Sequence, residues 1–155
     1  MGFQIAAVHI SKGYNGNILV NAMTVGIAKK GYLFAEKLVE QLKSISNIKI
    51  TLAKLTLEKD TPTLSNAELD IDTNLLDDKV IIITDDVLNT GKALIYGVKY
   101  LLDFPIKKMS TAILVDRNHK KYPIGTHYVG LSLSTTLQNH ISVEFKGNKM
   151  SAYLS

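Results

Sequence analysis

The sequence predicts an α/β fold in which a mostly parallel central sheet is flanked by helices. The segment Val80–Ile83 is a run of four branched apolar residues, which is typical of a strand buried on both faces of a parallel sheet. Beyond Gly91 the apolar residues recur at helical spacing, at Leu94, Val98, Leu101 and Leu102. Extended and helical segments alternate along the rest of the chain, and this alternation indicates βαβ units.

The amino-terminal half contains one such unit. Residues Phe3–Ile10 are predicted to form a short helix, and the glycines and asparagines of Ser11–Asn17 predict a loop. An extended segment then runs from Ile18 to Ile27. A short loop, Ala28–Gly31, leads into a helix predicted over Tyr32–Lys43.

Two segments before the central strand are less regular. The alternation of Ile48–Leu57 changes phase near Leu52, which either a β-bulge or burial of both strand faces explains. The stretch Glu58–Asp78 is polar, contains Pro62 and has no clean period. A connection of this length is usually functional or mobile, so it forms either a lid or a plain surface excursion.

The carboxyl-terminal half contains further strands. A buried strand is predicted over Ser110–Val115, and a basic stretch, Arg117–Pro123, precedes a short strand over His127–Leu133. The alternation of Ile141–Phe145 predicts an edge strand, and Ala152–Leu154 is a candidate for another. Since no repeat or linker divides the 155 residues, a single domain is predicted over 1–155.

Composition is that of an ordinary soluble globular protein, with 46% hydrophobic and 21% charged residues. The net charge of +4 suits phosphate ligands or RNA without choosing between them. The chain has no cysteine, which excludes disulfides and cysteine metal sites and makes a cytoplasmic location the expectation. No apolar run has the length of a membrane span, so no membrane partner is expected.

The carboxyl end of the central strand carries the strongest functional signal. Asp85 and Asp86 follow the apolar run, and a Thr90–Gly91 pair precedes the helix. Backbone N–H groups around Leu88 to Lys92 would form an anion site, whereas two carboxylates suit sugar hydroxyls or a hard cation such as Mg²⁺. A sugar phosphate fits both halves. The alternative is an acidic turn that only caps a helix.

The first strand–helix junction carries the opposite charge. Lys29 and Lys30 lie between the strand and the helix, and Gly31 permits an unusual backbone. The expected ligand is polyanionic, and the alternative is a solvated basic turn. Because carboxyl ends of parallel strands share one edge of a sheet, this junction is expected beside the acidic one.

The segment Asp85–Lys92 resembles the phosphoribosyl pyrophosphate signature of type I phosphoribosyltransferases. Other stretches are similar to the bifunctional uracil phosphoribosyltransferase and pyrimidine-operon attenuator branch: Val25–Gly31, Leu55–Asp60, Val115–Arg117 with His119, Pro123–Ile124 and Tyr128–Gly130. The resemblance covers about Ile18 to Phe145. It implies the type I phosphoribosyltransferase fold, with a flexible loop over about 58–78 and a small hood over about 116–145.

The resemblance assigns catalytic and metal-binding roles. Asp85 and Asp86 would hold the ribose hydroxyls, directly or through Mg²⁺. Asp116 and Arg117 would lie near the pyrophosphate and the metal, with Asp116 as a further metal ligand. Lys59 falls where relatives carry an arginine at the start of the flexible loop. Cations there would stabilise the charge that grows on the leaving pyrophosphate.

The resemblance also assigns three substrate-binding sets. The 5′-phosphate would be cradled by Val87, Leu88, Asn89, Thr90, Gly91 and Lys92. The pyrophosphate would be bound by Lys29, Lys30 and Gly31. The base would be contacted by Tyr128, Val129 and Gly130.

Three positions depart from the family pattern. Purine-type relatives place an acid just before the Thr-Gly pair, and Asn89 here cannot take a proton, which counts against hypoxanthine or guanine. Ala93 offers no hydroxyl where threonine is usual, at a cost of about 1 kcal/mol. Glu58 replaces a common tyrosine. These departures make slow catalysis or an unusual base an open alternative.

Three functional classes are compatible with such a site. The first is an Mg²⁺-dependent phosphoribosyltransferase that uses phosphoribosyl pyrophosphate and a nucleobase, with uracil expected. The second is a nucleotide-sensing, RNA-binding regulator, with a possible basic face at Lys107, Lys108, Arg117, Lys120 and Lys121. The third, a receiver-like phosphorylation switch, is rejected because its acid pair would follow the first strand. The resemblance also implies a homo-oligomer.

Overall fold

The computed structural model describes residues 22–46, 49–58, 67–134, 136, 138–147 and 149–155. The helix predicted over Phe3–Ile10, the loop after it and the start of the first extended segment lie outside these residues. So do residues 59–66 of the predicted lid, including Lys59.

The described chain alternates strands and helices. In chain order the elements are β1 (Ala22–Ile27), α1 (Ala28–Ile45), β2 (Ile50–Thr56), β3 (Glu68–Leu69), a 3₁₀ helix (Thr73–Leu76), β4 (Val80–Leu88), α2 (Lys92–Leu102), β5 (Lys108–Asp116), β6 (Tyr128–Ser132), β7 (Ile141–Lys146) and β8 (Lys149–Leu154). In space, six strands form one sheet in the order β3-β2-β1-β4-β5-β6. All neighbours are parallel except β2 and β3, so the prediction of a mostly parallel sheet is confirmed.

The two faces of the sheet carry separate cores, which explains the apolar run at the start of β4. Val80 and Ile82 pack on one face with α1 residues, including Phe34. Ile81 and Ile83 pack on the other face with α2 residues such as Leu94 and Leu101. Helices on both faces bury the strand from both sides, so no position in its first half is left for a polar residue.

The phase change in β2 has the same origin. The pairing of β1 with β2 runs without interruption from Ala22↔Ile50 to Ile27↔Leu55, so no bulge lies in this stretch. Ile50 belongs to the α1-side core, whereas Ala53 and Leu55 belong to the α2-side core. Burial of both faces is therefore the correct explanation.

Two predicted loops are wrong in their boundaries. The predicted loop Ala28–Gly31 is the first turn of α1. The second half of the predicted Glu58–Asp78 loop is folded, with β3 and the 3₁₀ helix burying Leu69 and Leu76. Elements this short give no periodic signal in the sequence.

The two edge strands predicted near the carboxyl terminus are strands, but they do not border the main sheet. β7 and β8 pair with each other as a separate antiparallel hairpin. Ile141 and Val143 of β7 are buried in the α1-side core. Among the residues with described structure, no helix is long and apolar enough to cross a membrane.

Candidate functional site

A cavity of about 350 Å³ opens at the carboxyl ends of β1 and β4. The chain leaves β1 through α1 on one face of the sheet and leaves β4 through α2 on the other. This divergence creates the crevice in which open α/β sheets bind ligands. The cavity lining includes nine residues predicted from the sequence: Lys30, Asp85, Asp86, Val87, Leu88, Asn89, Thr90, Gly91 and Lys92.

The junction between β4 and α2 is built around a strained turn, residues 89–91, called here the Thr-Gly turn. Gly91 is the N-cap of α2 and has φ = +84°, a conformation that side chains other than hydrogen disfavour. A Cβ at this position would also lie 2.6 Å from Ile124 Cγ2. The Thr90 hydroxyl accepts the N–H of Lys92 at 3.2 Å. The turn thus places the amino end of α2 at the cavity, where the N–H groups immediately after that of Lys92 lack helical acceptors.

The basic stretch that follows β5 fixes the Thr-Gly turn through backbone hydrogen bonds. The carbonyl oxygen of Thr90 accepts the N–H of Lys121 at 2.8 Å and the N–H of Tyr122 at 3.1 Å. Ile124 packs against Gly91 in the same place. The turn is therefore fixed before any ligand arrives.

The two acids lie inside the strand rather than in a loop, since β4 continues to Leu88. Asp85 and Asp86 are half-buried, and the N–H of Asp86 donates to Asp85 Oδ1 at 2.9 Å. Gly31 lies directly against this strand end: a Cβ there would be 3.0 Å from the carbonyl oxygen of Thr84 and 3.3 Å from Asp85 Oδ1. A side chain at this position would require α1 or the strand end to shift by a few tenths of an ångström.

The junction between β1 and α1 has no loop at all. The unusual backbone expected at Gly31 occurs instead at Ala28, which has φ = +55°. The N-cap residue Ile27 provides no side-chain hydrogen bond, and the first turn contains no acid. Lys29 and Lys30 are exposed there, and Lys30 lines the cavity. Lysines beside the positive end of a helix dipole are unfavourable, and a bound anion would offset that repulsion.

Arg117 contacts the protein's own acceptors beside the cavity. Its Nη1 donates to Asn89 Oδ1 at 2.7 Å. Its Nη2 donates to the carbonyl oxygen of Thr136 at 3.2 Å and to that of Asn139. The predicted catalytic arginine therefore touches the Thr-Gly turn.

Asp116, predicted as a third metal ligand, does not join Asp85 and Asp86. Its carboxylate is buried, accepts the N–H of Asn118 at 2.8 Å and lies 3.5 Å from Lys120 Nζ. It is absent from the cavity lining. Within the described ranges, no three His, Asp or Glu side chains gather into a metal cage.

The predicted base-contact residues Tyr128–Gly130 lie in the first half of β6, an edge strand of the main sheet, and not in the cavity lining. The predicted basic face is also divided. Lys107 and Lys108 lie at the amino end of β5, whereas Lys120 and Lys121 follow its carboxyl end. The length of β5, roughly 25 Å, lies between the two pairs.

Sequence reasoning missed one wall of the cavity, formed by His140, Ile141 and Ser142 at the start of β7. The backbone of His140 is fixed by two hydrogen bonds to Ser155, of 2.7 and 2.9 Å. The alternation of Ile141–Phe145 indicated a strand but could not locate it, because the hairpin reaches the cavity only through packing on the α1-side core. The remaining lining residues are Ile27, Ala28, Leu57, Ala93 and Leu94, of which the sequence singled out Ala93 as a departure from the family pattern.

Comparisons with known proteins agree with this architecture. Two solved structures share the fold at low sequence identity. The hypoxanthine phosphoribosyltransferase of Trypanosoma cruzi has a TM-score of 0.71 and 15% identity, covering 90% of this chain and 78% of that one. A hypoxanthine-guanine phosphoribosyltransferase from Bacillus anthracis has a TM-score of 0.69 and 18% identity, covering 85% and 74%.

Proteins found by sequence comparison have higher identity to this chain than these two structures have. The chain is 34% identical over 132 residues to the bifunctional protein PyrR of Clostridium perfringens, covering 79% of this chain and 72% of that protein. It is 32% identical over 138 residues to the bifunctional protein PyrR of Limosilactobacillus fermentum, covering 80% and 75%. Residues 4–146 match the family model of the phosphoribosyl transferase domain. The chain therefore belongs to the phosphoribosyltransferase family, as its resemblance to the type I enzymes predicts.

Proposed function

We propose that this protein transfers the phosphoribosyl group of 5-phosphoribosyl-1-pyrophosphate to uracil and releases pyrophosphate, a pyrimidine-salvage activity. One observation carries the proposal. The amino ends of α1 and α2 converge on one cavity, and the carboxylates of Asp85 and Asp86 line it as well. The substrate has the matching pattern, with phosphate groups at both ends and a diol between them.

The 5′-phosphate end is assigned to the Thr-Gly turn and the start of α2. Backbone N–H groups there are oriented by Gly91 at φ = +84° and have no acidic side chain in the first helical turn to compete for them. Lys92 adds a positive charge at the cavity wall. Fixed N–H groups at a helix start bind a phosphate without reorganisation.

The ribose end is assigned to Asp85 and Asp86, whose carboxylates accept hydrogen bonds from the 2′ and 3′ hydroxyls. The same pair fits Mg²⁺, because this ion usually takes one or two protein carboxylates and completes its shell with water and substrate oxygens. The absence of a three-residue cage in the described part of the chain agrees with that mode. When bound, the ion would neutralise charge on the pyrophosphate.

The pyrophosphate end is assigned to the start of α1 and Lys30. In the reaction the bond from C1′ to pyrophosphate oxygen breaks, a bond from C1′ to a ring nitrogen of uracil forms, and that nitrogen loses its proton to water or to the released pyrophosphate. Positive charge grows on the sugar while negative charge grows on the leaving group. Asp85 and Asp86 stabilise the first, and Lys30 with the α1 amino end stabilises the second. Lys59 remains a candidate for the same task.

The choice of uracil rests on the resemblance to the uracil branch and on Asn89. The similar structures named for hypoxanthine share only the fold, at 15–18% identity, and do not argue for a purine. Tyr128–Gly130 remain the predicted base contacts by resemblance. A cytoplasmic location and self-association are part of the same proposal.

The test follows pyrophosphate release from phosphoribosyl pyrophosphate and Mg²⁺ with uracil, cytosine, hypoxanthine, guanine and adenine. Release with uracil and with no purine is the expected result. Pyrophosphate release only with a purine would overturn the assignment of uracil as the base. No release with any base would overturn the proposal that the protein is an enzyme.

The resemblance to the pyrimidine-operon attenuator branch favours one second candidate, a nucleotide-sensing regulator that binds RNA, and the relatives' name, bifunctional protein PyrR, agrees with a second activity. Since the five predicted cations do not form one face, we place any RNA contact at Lys120 and Lys121 alone, next to the Thr-Gly turn. Leader-RNA binding that changes with uridine monophosphate and is lost in a Lys120→Ala, Lys121→Ala variant would support it. Unchanged RNA binding in that variant would exclude this surface.

A further inference from the structure

Arg117 is fixed at both its backbone and its side chain. Its N–H donates to the carbonyl oxygen of Leu88, the last residue of β4, at 3.3 Å. Its guanidinium donates through Nη1 to Asn89 and through Nη2 to Thr136 and Asn139. A planar guanidinium fork suits several acceptors at once, whereas one ammonium cannot span them.

The contact with Asn89 fixes which way that amide faces. A guanidinium has donors and no acceptor, so the edge of Asn89 that meets Arg117 must be its oxygen. The NH₂ group then lies on the other edge of the side chain. Asn89 lines the cavity, so the arrangement makes Asn89 a hydrogen-bond donor there.

The contacts through Nη2 fix the turn that leads into the cavity wall at His140–Ser142. Thr136 and Asn139 close a turn on themselves: the N–H of Asn139 donates to the Thr136 carbonyl at 3.2 Å, and the N–H of Thr136 donates to Asn139 Oδ1 at 2.9 Å. Both carbonyl oxygens of this turn also accept from Arg117. The turn leads directly into His140–Ser142, the cavity wall.

We propose that Arg117 is a positioning residue, which orients the Asn89 amide as a donor and holds the cavity wall 140–142 in place without contacting the substrate. Its kinetic consequence rests on the proposed phosphoribosyl transfer, whereas the arrangement of the two walls does not. The proposal differs from the role that the family resemblance implies for Arg117, which places it next to the pyrophosphate.

A double-mutant cycle tests the link through Asn89. Arg117→Ala and Asn89→Ala are each expected to lower kcat/KM with uracil about tenfold, because each breaks a hydrogen bond to a charged group. The double variant should be no more than about twofold worse than the worse single variant, since residues that act through one contact are not additive. Losses that multiply, or no loss in Arg117→Ala, would overturn the proposal.

Arg117→Lys separates positioning from charge. It keeps the positive charge and removes the fork, so it should resemble Arg117→Ala in the cycle. Near-native kcat/KM in Arg117→Lys would overturn the proposal, because a direct electrostatic contact with pyrophosphate tolerates an ammonium. Should Arg117→Ala fail to fold, Arg117→Lys carries the cycle.

Hydrogen exchange without ligand tests the arrangement itself. The backbone amides of residues 89–92 and 138–142 should exchange hydrogen for deuterium faster in Arg117→Ala than in the unsubstituted protein. Lys107→Ala, which removes a cation at the far end of β5, should leave both peptides unchanged. Unchanged exchange in the Arg117 variant would overturn positioning even in an active enzyme. Absence of turnover in the parent would overturn only the proposed function.

Discussion

The two strand-to-helix junctions that meet at the cavity prepare it in different ways. The β4–α2 junction is a three-residue turn whose shape is fixed by Gly91, by two N–H donors to the Thr90 carbonyl and by Ile124. The β1–α1 junction has no intervening loop, no cap and a positive φ at Ala28. This junction contributes a positive charge to the cavity, on Lys30, rather than a fixed backbone turn.

This difference fits the two anions of the proposed reaction. Under that proposal, the 5′-phosphate, which stays bound throughout, would be held by the rigid N–H groups of the β4–α2 junction. The pyrophosphate, which must leave, would be held by a lysine, a flexible point charge without a fixed geometry. The acids of β4 lie next to the α1 amino end, where Gly31 abuts Asp85.

The largest expected effect on turnover comes from Asp85 and Asp86, which lie at the end of β4 between the two junctions. Asp85→Asn with Asp86→Asn should lower turnover on the order of 100-fold or more, since it removes the charge that stabilises the cationic sugar. The midpoint temperature of thermal unfolding should not fall, because the double substitution removes two adjacent like charges that repel each other. Asp103→Asn, an exposed carboxylate at the other end of α2, is the matched control. Unchanged phosphoribosyl pyrophosphate affinity in the double variant would contradict the diol assignment.

Alanine substitutions at three glycines distinguish the cost of a positive φ from the cost of a steric clash at the β4–α2 junction. Gly91→Ala should lower the free energy of unfolding by about 2–4 kcal/mol, because it combines a positive φ with a clash against Ile124. Gly147→Ala has φ = +58° without a clash and should cost about 1 kcal/mol. Gly125→Ala has neither and should stay within about 0.5 kcal/mol. Urea unfolding measures all three, and equal losses would contradict the special geometry of Gly91.

The two lysines of the β1–α1 junction differ in position alone. Lys30→Ala should raise KM for phosphoribosyl pyrophosphate about tenfold, because it removes a charged hydrogen-bond donor from the cavity. Lys29→Ala removes the same charge from a neighbouring exposed site outside the cavity lining and should raise KM about twofold at most. Equal effects would mean that long-range charge, and not contact, attracts the substrate. Measurements at two salt concentrations would then show strong screening for both.

The same contrast explains what the sequence could predict. The β4–α2 junction was identified because a buried parallel strand reads as a continuous apolar run and because Thr-Gly marks a turn. The start of α1 was misplaced because Gly31 reads as a helix breaker. Its actual role, a close approach to Thr84 and Asp85, depends on a strand more than 50 residues away.

Contacts made late in the chain were equally hidden. Arg117 reaches Asn89, which lies 28 residues earlier, and Asn139, which lies 22 residues later. No local pattern encodes such pairs. The wall at His140–Ser142 depends on where the β7–β8 hairpin packs, and strand periodicity carries no information on packing partners.

The smallest expected effects come from two threonines that look alike in the sequence. Thr24 of β1 and Thr84 of β4 are both fully buried. The Thr84 hydroxyl lies 3.1 Å from the Gly31 carbonyl oxygen and 3.4 Å from that of Val25, and so ties the first turn of α1 to β4. The Thr24 hydroxyl has no hydrogen-bond partner among the residues that the structure describes.

Replacement of each threonine by the isosteric valine should therefore change stability in opposite directions. Thr84→Val should lower the free energy of unfolding by about 1 kcal/mol, because it removes a buried hydrogen bond to the Gly31 carbonyl oxygen, which keeps its helical N–H donor. Thr24→Val should leave it unchanged or raise it by up to about 1 kcal/mol, because it removes a buried hydroxyl that lacks a partner. The midpoint of urea unfolding at constant m reports both. A loss of similar size in both variants would contradict the hydrogen-bond assignment. If Thr84→Val also raises KM for phosphoribosyl pyrophosphate while Thr24→Val does not, the bond between the two junctions contributes to substrate binding as well as to stability.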